Sequence, residues 1–455
     1  MTFRVSKDHH RLGRKTCRGS GIAAFPGGIC PCADGGWRHA KENGMTKLDL
    51  DFVRAQFPAF EAPLTKGQAF FENAGGSYPC RQVVDRLHRF YTERKVQPYA
   101  DYPAAQAGGA EMDEARVRLA ALMGVDTDEL SFGPSTSTNT YVLAQAVRQW
   151  LLADGGAVVV TNQDHEANSG VWRRLADAGI EVREWGVDPE TGHLDLADLA
   201  RLLDDGRVRL VCFPHCSNVV AEINPVAEIC AMVRAAGGYT CVDGVSYAPH
   251  GLPDVRGLGA DVYLFSAYKT YGPHQGIMTI TRKFGEALPA QGHYFNAGTL
   301  YKRFTPSGPD HAQIAACAGM ADYVDALYDQ HFAAGDASPL ARNQAVHDLM
   351  RNQEIVVTQP LLDYLAARND LRLIGPRHAK DRAPTVAVAL HGAAEPVAAR
   401  LAKHGINCWG GDFYAVRPLQ AMGVDLDLGV LRMSMVHYTS ADDVSRLIKA
   451  LDAEL

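Results

Sequence analysis

The chain has 455 residues, of which 47% are hydrophobic and 21% charged, and its formal net charge is −7. This is the composition of a soluble globular protein, and it excludes collagen-like, disordered and coiled-coil classes. The acidic balance argues against nucleic acid as a partner, and no run approaches the roughly 18 apolar residues that cross a membrane. We therefore expect an enzyme that acts on a small molecule.

Residues 1–44 differ from the rest of the chain. They contain eight lysine or arginine residues against three acidic ones, with no helical or strand periodicity and no signal-peptide core. We expect a disordered N-terminal extension and Met45 as the working start. Cys30 and Cys32 lack the second spaced pair that a zinc site needs, so we predict no metal site.

Several of the ten cysteines lie in apolar runs such as LVCF and TCVD, which is typical of buried core thiols. Because the sequence carries no secretion signal, we expect the reducing cytoplasm rather than a disulfide framework.

The patterned part of the chain begins with residues 45–64, where Leu48, Phe52, Val53 and Phe57 recur at helical spacing. We expect this segment to pack with the small domain. Short β-rich runs then alternate with helical patterns, and the predicted strands are 157–160, 181–185, 208–213, 239–243, 261–266 and 276–280. This alternation predicts a mostly parallel sheet covered on both faces, in a large domain over residues 65–310.

The pattern of predicted helices and strands changes after about residue 310. Long helical patterns come first, then predicted strands at 385–390, 406–409 and 430–436, and a last helix that ends the chain. We predict a smaller α+β C-terminal domain over residues 311–455.

Lys269 is the one residue with a formal charge between Asp261 and Arg282. A lone lysine between a strand end and a Gly-Pro turn is partly withdrawn from water, which lowers its pKa and makes the neutral amine available for a Schiff base. A surface lysine is the alternative, and this segment alone does not decide between them.

Polar residues follow several predicted strands at the edge where ligands collect in parallel sheets. Asp243 ends one strand, 26 residues before Lys269, and needs a cation or donor if it is buried. His165 and Asn218 follow two further strands. The run GPSTSTN, which includes Thr136 and Ser137, enters a helix and supplies the amides and hydroxyls of a phosphate site. The set suits a phosphorylated pyridine aldehyde.

Eight motifs occur in the order of a known family over roughly residues 65–440: ENAGGS, SFGPSTSTN, DHEAN, HCSNVVAEINPVAEI, VDGVSYAPH, FSAYKTYGPHQG, FNAGT and VLRMSMVHYTS. In these motifs the chain resembles the class V aminotransferase family of pyridoxal-phosphate (PLP) enzymes, especially its cysteine desulfurase-like branch. The resemblance implies PLP as cofactor. It also implies the fold type I architecture, which is α/β and aspartate aminotransferase-like.

The resemblance also implies roles for individual residues. Lys269 forms the Schiff base with PLP, Asp243 partners the pyridinium nitrogen, and His165 stacks on the ring. The remaining cofactor contacts are Thr136, Ser137, Asn218, Ser246 and Ser266. A homodimer is expected, in which Thr299 of FNAGT reaches the neighbour's phosphate. The substrate contacts are Arg432, which grips the α-carboxylate, with Asn73 and Tyr414.

The sequence departs from the desulfurase pattern at three positions. Ser246 stands where Gln is usual, Tyr268 stands where His often precedes the lysine, and Tyr414 falls at the place of the persulfide-forming cysteine. Cys408 lies nearby in a strand-like run and is interpreted as a core thiol.

We therefore expect a PLP-dependent carbon-sulfur lyase that acts on an amino acid without a persulfide cysteine. An aminotransferase or epimerase of the same family is the alternative, with Tyr271, His274, Tyr414 and Arg417 as candidates near the substrate side chain. A non-catalytic PLP-fold accessory protein is a further alternative, which the presence of both Lys269 and Asp243 disfavours.

Overall fold

A computed structural model describes residues 46–455, so the expectations for residues 1–44 lie outside the described part. The strands are β1 (Ala69–Phe70), β2 (Leu130–Gly133), β3 (Ala157–Thr161), β4 (Glu181–Trp185), β5 (Val208–Pro214), β6 (Tyr239–Asp243), β7 (Val262–Ser266), β8 (Gly276–Ile280), β9 (Leu371–Ile374), β10 (Thr385–Leu390), β11 (Ile406–Asn407), β12 (Trp409–Gly411) and β13 (Val430–Ser434).

The helices are α1 (Leu50–Ala55), α2 (Arg81–Arg89), α3 (Pro103–Leu122), α4 (Thr136–Asp154), α5 (Glu166–Arg173), α6 (Leu196–Leu203), α7 (Val226–Ala235), α8 (Val255–Leu258), α9 (Arg282–Ala287), α10 (His311–Ala316), α11 (Ala318–His331), α12 (Pro339–Ala366), α13 (Ala394–Lys403), α14 (Val416–Ala421) and α15 (Ala441–Glu454). None of those in residues 46–455 is long and apolar enough to span a membrane.

The largest sheet has seven strands in the order β2-β8-β7-β6-β5-β3-β4, and only β8 runs against its neighbours. Because side chains alternate along a strand, the two faces have separate cores. Val159, Val211 and Phe265 pack in one cluster, whereas Val160 and Leu264 pack in the other. The predicted mostly parallel sheet, covered on both faces, is confirmed.

The C-terminal part contains a four-stranded antiparallel sheet, β12-β13-β10-β9, and a two-stranded parallel sheet, β1-β11. The predicted α+β class of the C-terminal part, with helices beside antiparallel strands, is confirmed. The single strand predicted at 406–409 is wrong, because residues 406–407 pair with β1 and residues 409–411 pair with β13. Cys408 lies between these two strands.

The segment that contains β1 goes with the C-terminal sheets. Ala69 and Phe70 pair with β11, and Glu72 forms a parallel bridge with Ser434 at the end of β13. Residues 69–72 therefore pair with strands of the C-terminal part, although they follow residue 65, at which the large domain is predicted to begin.

The N-terminal segment packs against the rest of the chain through aromatic and polar contacts. Phe57 is buried and packs edge-to-face against Tyr323 and Tyr438, with ring centroids 5.3 and 4.8 Å away. Arg54 donates from Nε to the carbonyl of Tyr438 at 3.0 Å and forms an ion pair with Asp443. The N-terminal segment therefore contacts both α11 and the residues that follow β13.

We expect Phe57→Ala to lower the free energy of unfolding by about 3–5 kcal/mol, because it leaves a cavity among buried rings. Leu64→Ala in the same segment is the matched control, since Leu64 is 92% exposed. It should change stability by less than about 0.5 kcal/mol. Denaturant unfolding measures both, and equal effects would show that the segment is not part of the core.

Candidate active site

Ten of the predicted site residues line two cavities at the carboxyl edge of the seven-stranded sheet. A cavity of about 70 Å³ is lined by Thr136, Ser137, His165, Asn218, Asp243, Ser246, Ser266 and Lys269, among others. A wider cavity of about 590 Å³ shares Lys269, His165 and Asn218 with it and adds Tyr414 and Arg432. The small cavity is deep in the sheet edge, and the wide one extends toward β12 and β13.

One end of the small cavity is the N-terminus of α4. The Ser135 hydroxyl caps this 19-residue helix by accepting from the Thr138 N–H at 3.1 Å. Thr136 and Ser266 share a hydrogen bond of 2.8 Å between their hydroxyls. Gly276 lies against this turn so closely that a Cβ there would be 2.4 Å from the Ser135 carbonyl carbon. The amides, hydroxyls and helix dipole together form a site for a phosphate group.

Lys269 follows β7 in a short 3-10 turn and lines both cavities. Its ammonium lies 5.9 Å from the centre of the Tyr268 ring. Burial, reinforced by the positive charge of Arg432, lowers the pKa of Lys269 to about 8, although Asp243 and Glu72 oppose the shift. The prediction of a withdrawn lysine, rather than a surface one, agrees with this position.

Asp243 ends β6 at the floor of the small cavity. Burial raises the pKa of its carboxyl group to about 6, although the Val245 N–H donates to Oδ1 at 2.8 Å and Lys269 favours the charged form. Asp164 lines the same cavity, and burial followed by repulsion from Asp243 raises its pKa well above the usual value. Two buried carboxyl groups thus face one space, and a bound cation there favours their ionised forms.

His165 is the N-cap residue of α5 and lies between the two cavities. Its Nδ1 accepts the Ala167 N–H at 3.0 Å, which leaves the ring proton of the neutral form on Nε2. Burial, together with the charges of Lys269 and Arg432, lowers the pKa of His165 to about 3. The imidazole is therefore neutral near pH 7, as a ring that stacks on a flat ligand should be.

Arg432 on β13 is buried and lines the wide cavity. Its Nη2 forms an ion pair with Glu72 at 2.7 Å, and its Nη1 donates to the carbonyl of Asn218 at 3.3 Å. The guanidinium lies 3.8 Å from the centre of the Phe413 ring. The predicted substrate arginine is thus in the site and already has a carboxylate partner.

Two predicted residues are not among the walls of these cavities. Asn73 is 2% exposed, and its amide is engaged by the carbonyl of Ser434 at 2.8 Å and by the Tyr438 hydroxyl. Its neighbour Glu72 faces the site instead, because successive side chains of an extended segment point to opposite sides. Thr299 begins a 3-10 turn beside the exposed Tyr294 and Phe295, and its predicted role requires a second subunit.

The structure places some of the residues predicted to lie near the substrate side chain at the wide cavity and others away from it. Tyr414 is 72% exposed at the mouth of the wide cavity, with its ring centroid 5.6 Å from that of His165. Arg417 pairs with Glu166, a residue of that mouth, at 3.2 Å. Tyr271 was placed wrongly, because it is 4% exposed and its ring packs in the core against Phe57.

Sequence reasoning missed several residues that line the cavities, among them Glu72, Asp164 and Cys216. Glu72 and Asp164 both occur within the quoted motifs. Each directly precedes a predicted site residue, Asn73 and His165 respectively, and that adjacency could have identified them. Cys216 follows β5, and burial raises the pKa of its thiol to about 12. Cys408 is similar, since burial also raises its pKa to about 12.

The residues present fit pyridoxal phosphate. The α4 turn offers a phosphate site at one end, and Asp243 offers a carboxylate at the other, with Lys269 in the same cavity. Asn218 donates from Nδ2 to the carbonyl of Phe413 at 3.0 Å, while its buried Oδ1 has no hydrogen-bond partner among residues 46–455. An unpartnered acceptor in the wall awaits a donor, such as a ring hydroxyl.

Comparison with known proteins agrees with this fit. The family model described as Aminotransferase class-V matches residues 69–447. The aminotransferase-like protein FGM3 of Gibberella zeae is 30% identical over 423 residues, which are 90% of this chain and 99% of that protein. A cysteine desulfurase of Yersinia pseudotuberculosis is 28% identical and aligns with 88% of this chain and 97% of its own length.

The solved structure of the cysteine desulfurase CsdA from Escherichia coli is similar with a TM-score of 0.73 and 22% identity. The similarity covers 89% of this chain and 98% of that one. At this level of identity the likeness shows the fold, and it confirms the predicted PLP fold type I architecture.

The lowered pKa of Lys269 predicts the pH dependence of cofactor uptake. Only the neutral amine attacks an aldehyde, and its fraction rises about tenfold per pH unit until the pH reaches the pKa. With a pKa of about 8, the rate at which apoprotein takes up PLP, followed by absorbance, should rise about tenfold from pH 6 to pH 7 and level off above pH 8. A rate that still rises tenfold from pH 8 to pH 9 would contradict this environment. The Lys269→Ala variant, which lacks the amine, gives the background absorbance change for this measurement.

Proposed function

Because the chain belongs to the class V aminotransferase family, whose members are PLP-dependent enzymes, we propose that it is a carbon-sulfur lyase. In this reaction the Cα proton of a sulfur-containing amino acid is removed and the sulfur group leaves from the β carbon. The observation that carries the proposal is the placement of Lys269, Asp243 and His165 around one cavity that also holds a phosphate site.

Bound PLP supplies an electron sink for the negative charge that develops at Cα. Lys269 Nζ accepts the Cα proton, and its pKa of about 8 keeps a useful fraction of the amine neutral near pH 7. The carboxylate of Asp243 holds a proton at the cofactor's ring nitrogen. That positive charge in turn favours the ionised form of Asp243, whose burial raises its pKa to about 6 against the opposing effects of the Val245 N–H and Lys269.

The positions of the cysteines among residues 46–455 support release of sulfur as a small molecule rather than its transfer to the protein. Seven cysteines lie in the described chain, and of these Cys216 alone lines the small cavity. Its thiol has a pKa of about 12, so it carries almost no thiolate at neutral pH. The loop between β12 and α14 places the exposed Tyr414 at the mouth. We expect a leaving thiol to pass to solvent without attack by a cysteine of residues 46–455.

Transamination is the second candidate, because the name of the relative FGM3 describes it as aminotransferase-like. It differs from elimination in needing an α-keto acid as the second substrate. Epimerisation uses the same proton removal and returns the proton to Cα. The same residues serve all three reactions, so product analysis separates them.

The proposal includes a cytoplasmic homodimer. Thr299 is not among the residues that line either cavity, while Tyr294 and Phe295 on the same loop are 90% and 70% exposed in the single chain. Exposed aromatic side chains of this size are typical of interaction surfaces. In a dimer this loop would bring Thr299 to the α4 turn of the neighbouring subunit.

The decisive experiment is a product assay with the PLP-loaded protein. It is incubated with cysteine, cysteine S-conjugates and ordinary amino acids, with and without an α-keto acid, and sulfide or thiol, pyruvate and ammonia are measured. We expect pyruvate and ammonia in equal amounts from a sulfur amino acid without keto acid. Strict dependence on the keto acid would refute the lyase and favour the aminotransferase.

Two lysine variants test the role of the amine. Lys269→Ala should lower kcat by at least about a thousandfold, because it removes both the cofactor linkage and the proton acceptor. Lys283→Ala is the control, since Lys283 is exposed on α9, and it should keep full activity. Normal turnover by the Lys269 variant would overturn the assignment.

A further inference from the structure

The carboxyl subsite of the wide cavity contains both charges of an ion pair. Glu72 Oε1 lies 2.7 Å from Arg432 Nη2, and both residues line the cavity. The side chain of Arg432 is 4% exposed and that of Glu72 is 24% exposed, so water screens the pair only in part. The positive charge that would attract a free carboxylate is therefore neutralised by the chain itself.

Backbone contacts hold Glu72 beside Arg432. Glu72 forms a parallel bridge with Ser434, two residues after Arg432 on the same strand. The Ser434 N–H donates to the carbonyl of Phe71 at 2.7 Å, and the Ala74 N–H donates to the Ser434 hydroxyl at 2.8 Å. Because side chains two residues apart in a strand share a face, the pair is a product of strand pairing and not of a mobile loop.

A glycine leaves room for the Glu72 carboxylate. A Cβ at Gly75 would lie 2.5 Å from Glu72 Oε1, which is closer than atoms can approach. The turn that follows Glu72 is thus compatible with this side-chain position only because it has no side chain of its own at residue 75.

Each member of the pair also has an unused hydrogen-bonding atom. Glu72 Oε2 and Arg432 Nε are buried and have no hydrogen-bond partner within residues 46–455. One is an acceptor and the other a donor. A free carboxylate has only acceptors and would meet the negative charge of Glu72. A carboxamide has a carbonyl oxygen for Arg432 and an N–H for Glu72, so its pattern is the complementary one.

We infer that the subsite formed by Glu72 and Arg432 selects an amino acid whose carboxyl group is an amide over one with a free α-carboxylate. This inference rests on the proposed function, since it concerns the carboxyl end of the same substrate. It assigns Glu72 as a specificity-determining residue. The wide cavity continues past the pair toward Trp409 and Tyr414, which leaves space for a group beyond the amide nitrogen.

Calorimetric titration of the PLP-loaded enzyme tests the inference. L-alanine and L-alaninamide have no β leaving group, so binding is measured without elimination. One hydrogen bond to a charged group corresponds to roughly a tenfold change in affinity, so we expect L-alaninamide to bind the unmodified enzyme about tenfold more tightly than L-alanine. Tighter binding of L-alanine would overturn the inference.

Two variants at residue 72 sharpen the test. Glu72→Ala frees the guanidinium for a carboxylate and should reverse the preference toward L-alanine. Glu72→Gln keeps the shape but removes the negative charge, so it should improve L-alanine binding while folding normally. Glu190→Ala changes an exposed acid outside both cavities and should leave both affinities unchanged. An unaltered preference in both residue-72 variants would refute the role of Glu72.

A third ligand identifies the source of the amide, and the product assay keeps the two proposals apart. The dipeptide L-Ala-Gly should bind as tightly as L-alaninamide if the substrate is the N-terminal residue of a peptide, and weakly if it is a free amino acid amide. If neither a sulfur amino acid gives pyruvate and ammonia nor its amide gives pyruvamide and ammonia, but the reversal at Glu72 occurs, the lyase fails and the specificity stands. If no ligand binds any variant, the specificity inference fails, and the product assay alone decides the lyase.

Discussion

The parallel order of the seven-stranded sheet is the constraint on which the site depends. Strands that run in one direction end at one edge, so the residues that follow β3, β5, β6 and β7 meet although they are far apart in the chain. The single antiparallel strand, β8, begins at that edge. Its first residue, Gly276, supports the turn before α4, because only a residue without a side chain fits there. The phosphate site and the amine site are consequences of the same topology.

Burial of charge at this edge explains the chemistry that the residues can perform. Lys269, Asp243, Asp164 and Arg432 all have pKa values shifted toward their neutral forms by loss of water. In an ordinary core such groups would be destabilising, and their retention together is typical of sites where a ligand completes the charge balance. A ring with a protonated nitrogen and a phosphate would place its positive charge beside Asp243 and its phosphate at the N-terminus of α4, so the cavity suits PLP better than a neutral ligand.

Of the three departures from the desulfurase pattern, Ser246 and Tyr268 follow strands of the large sheet, and Tyr414 lies on the side formed by the C-terminal sheet. The loop after β12 has two consecutive residues, Phe413 and Tyr414, with φ near +55°. Both are in the left-handed region, which is rare outside glycine and common where function constrains the backbone. This conformation places the Phe413 ring against Arg432 and the Tyr414 carbonyl on the Glu166 N–H. Aromatic side chains of this loop therefore lie where the resemblance places the persulfide-forming cysteine of a desulfurase.

The amino-acid sequence by itself predicted six of the seven strands of the large sheet, the mixture of helices and strands in the C-terminal part, and most of the residues that line the site. Strand periodicity is local, and residues that follow strand ends can be assigned to one edge without coordinates. Only the tertiary structure decided which neighbour in ENAGGS faces the cavity, that Tyr271 packs in the core, and that residues 406–409 divide between two sheets. It also paired Glu72 with Arg432 across 360 positions of sequence. Side-chain direction and long-range strand pairing arise from packing between distant segments, and no local pattern carries that information.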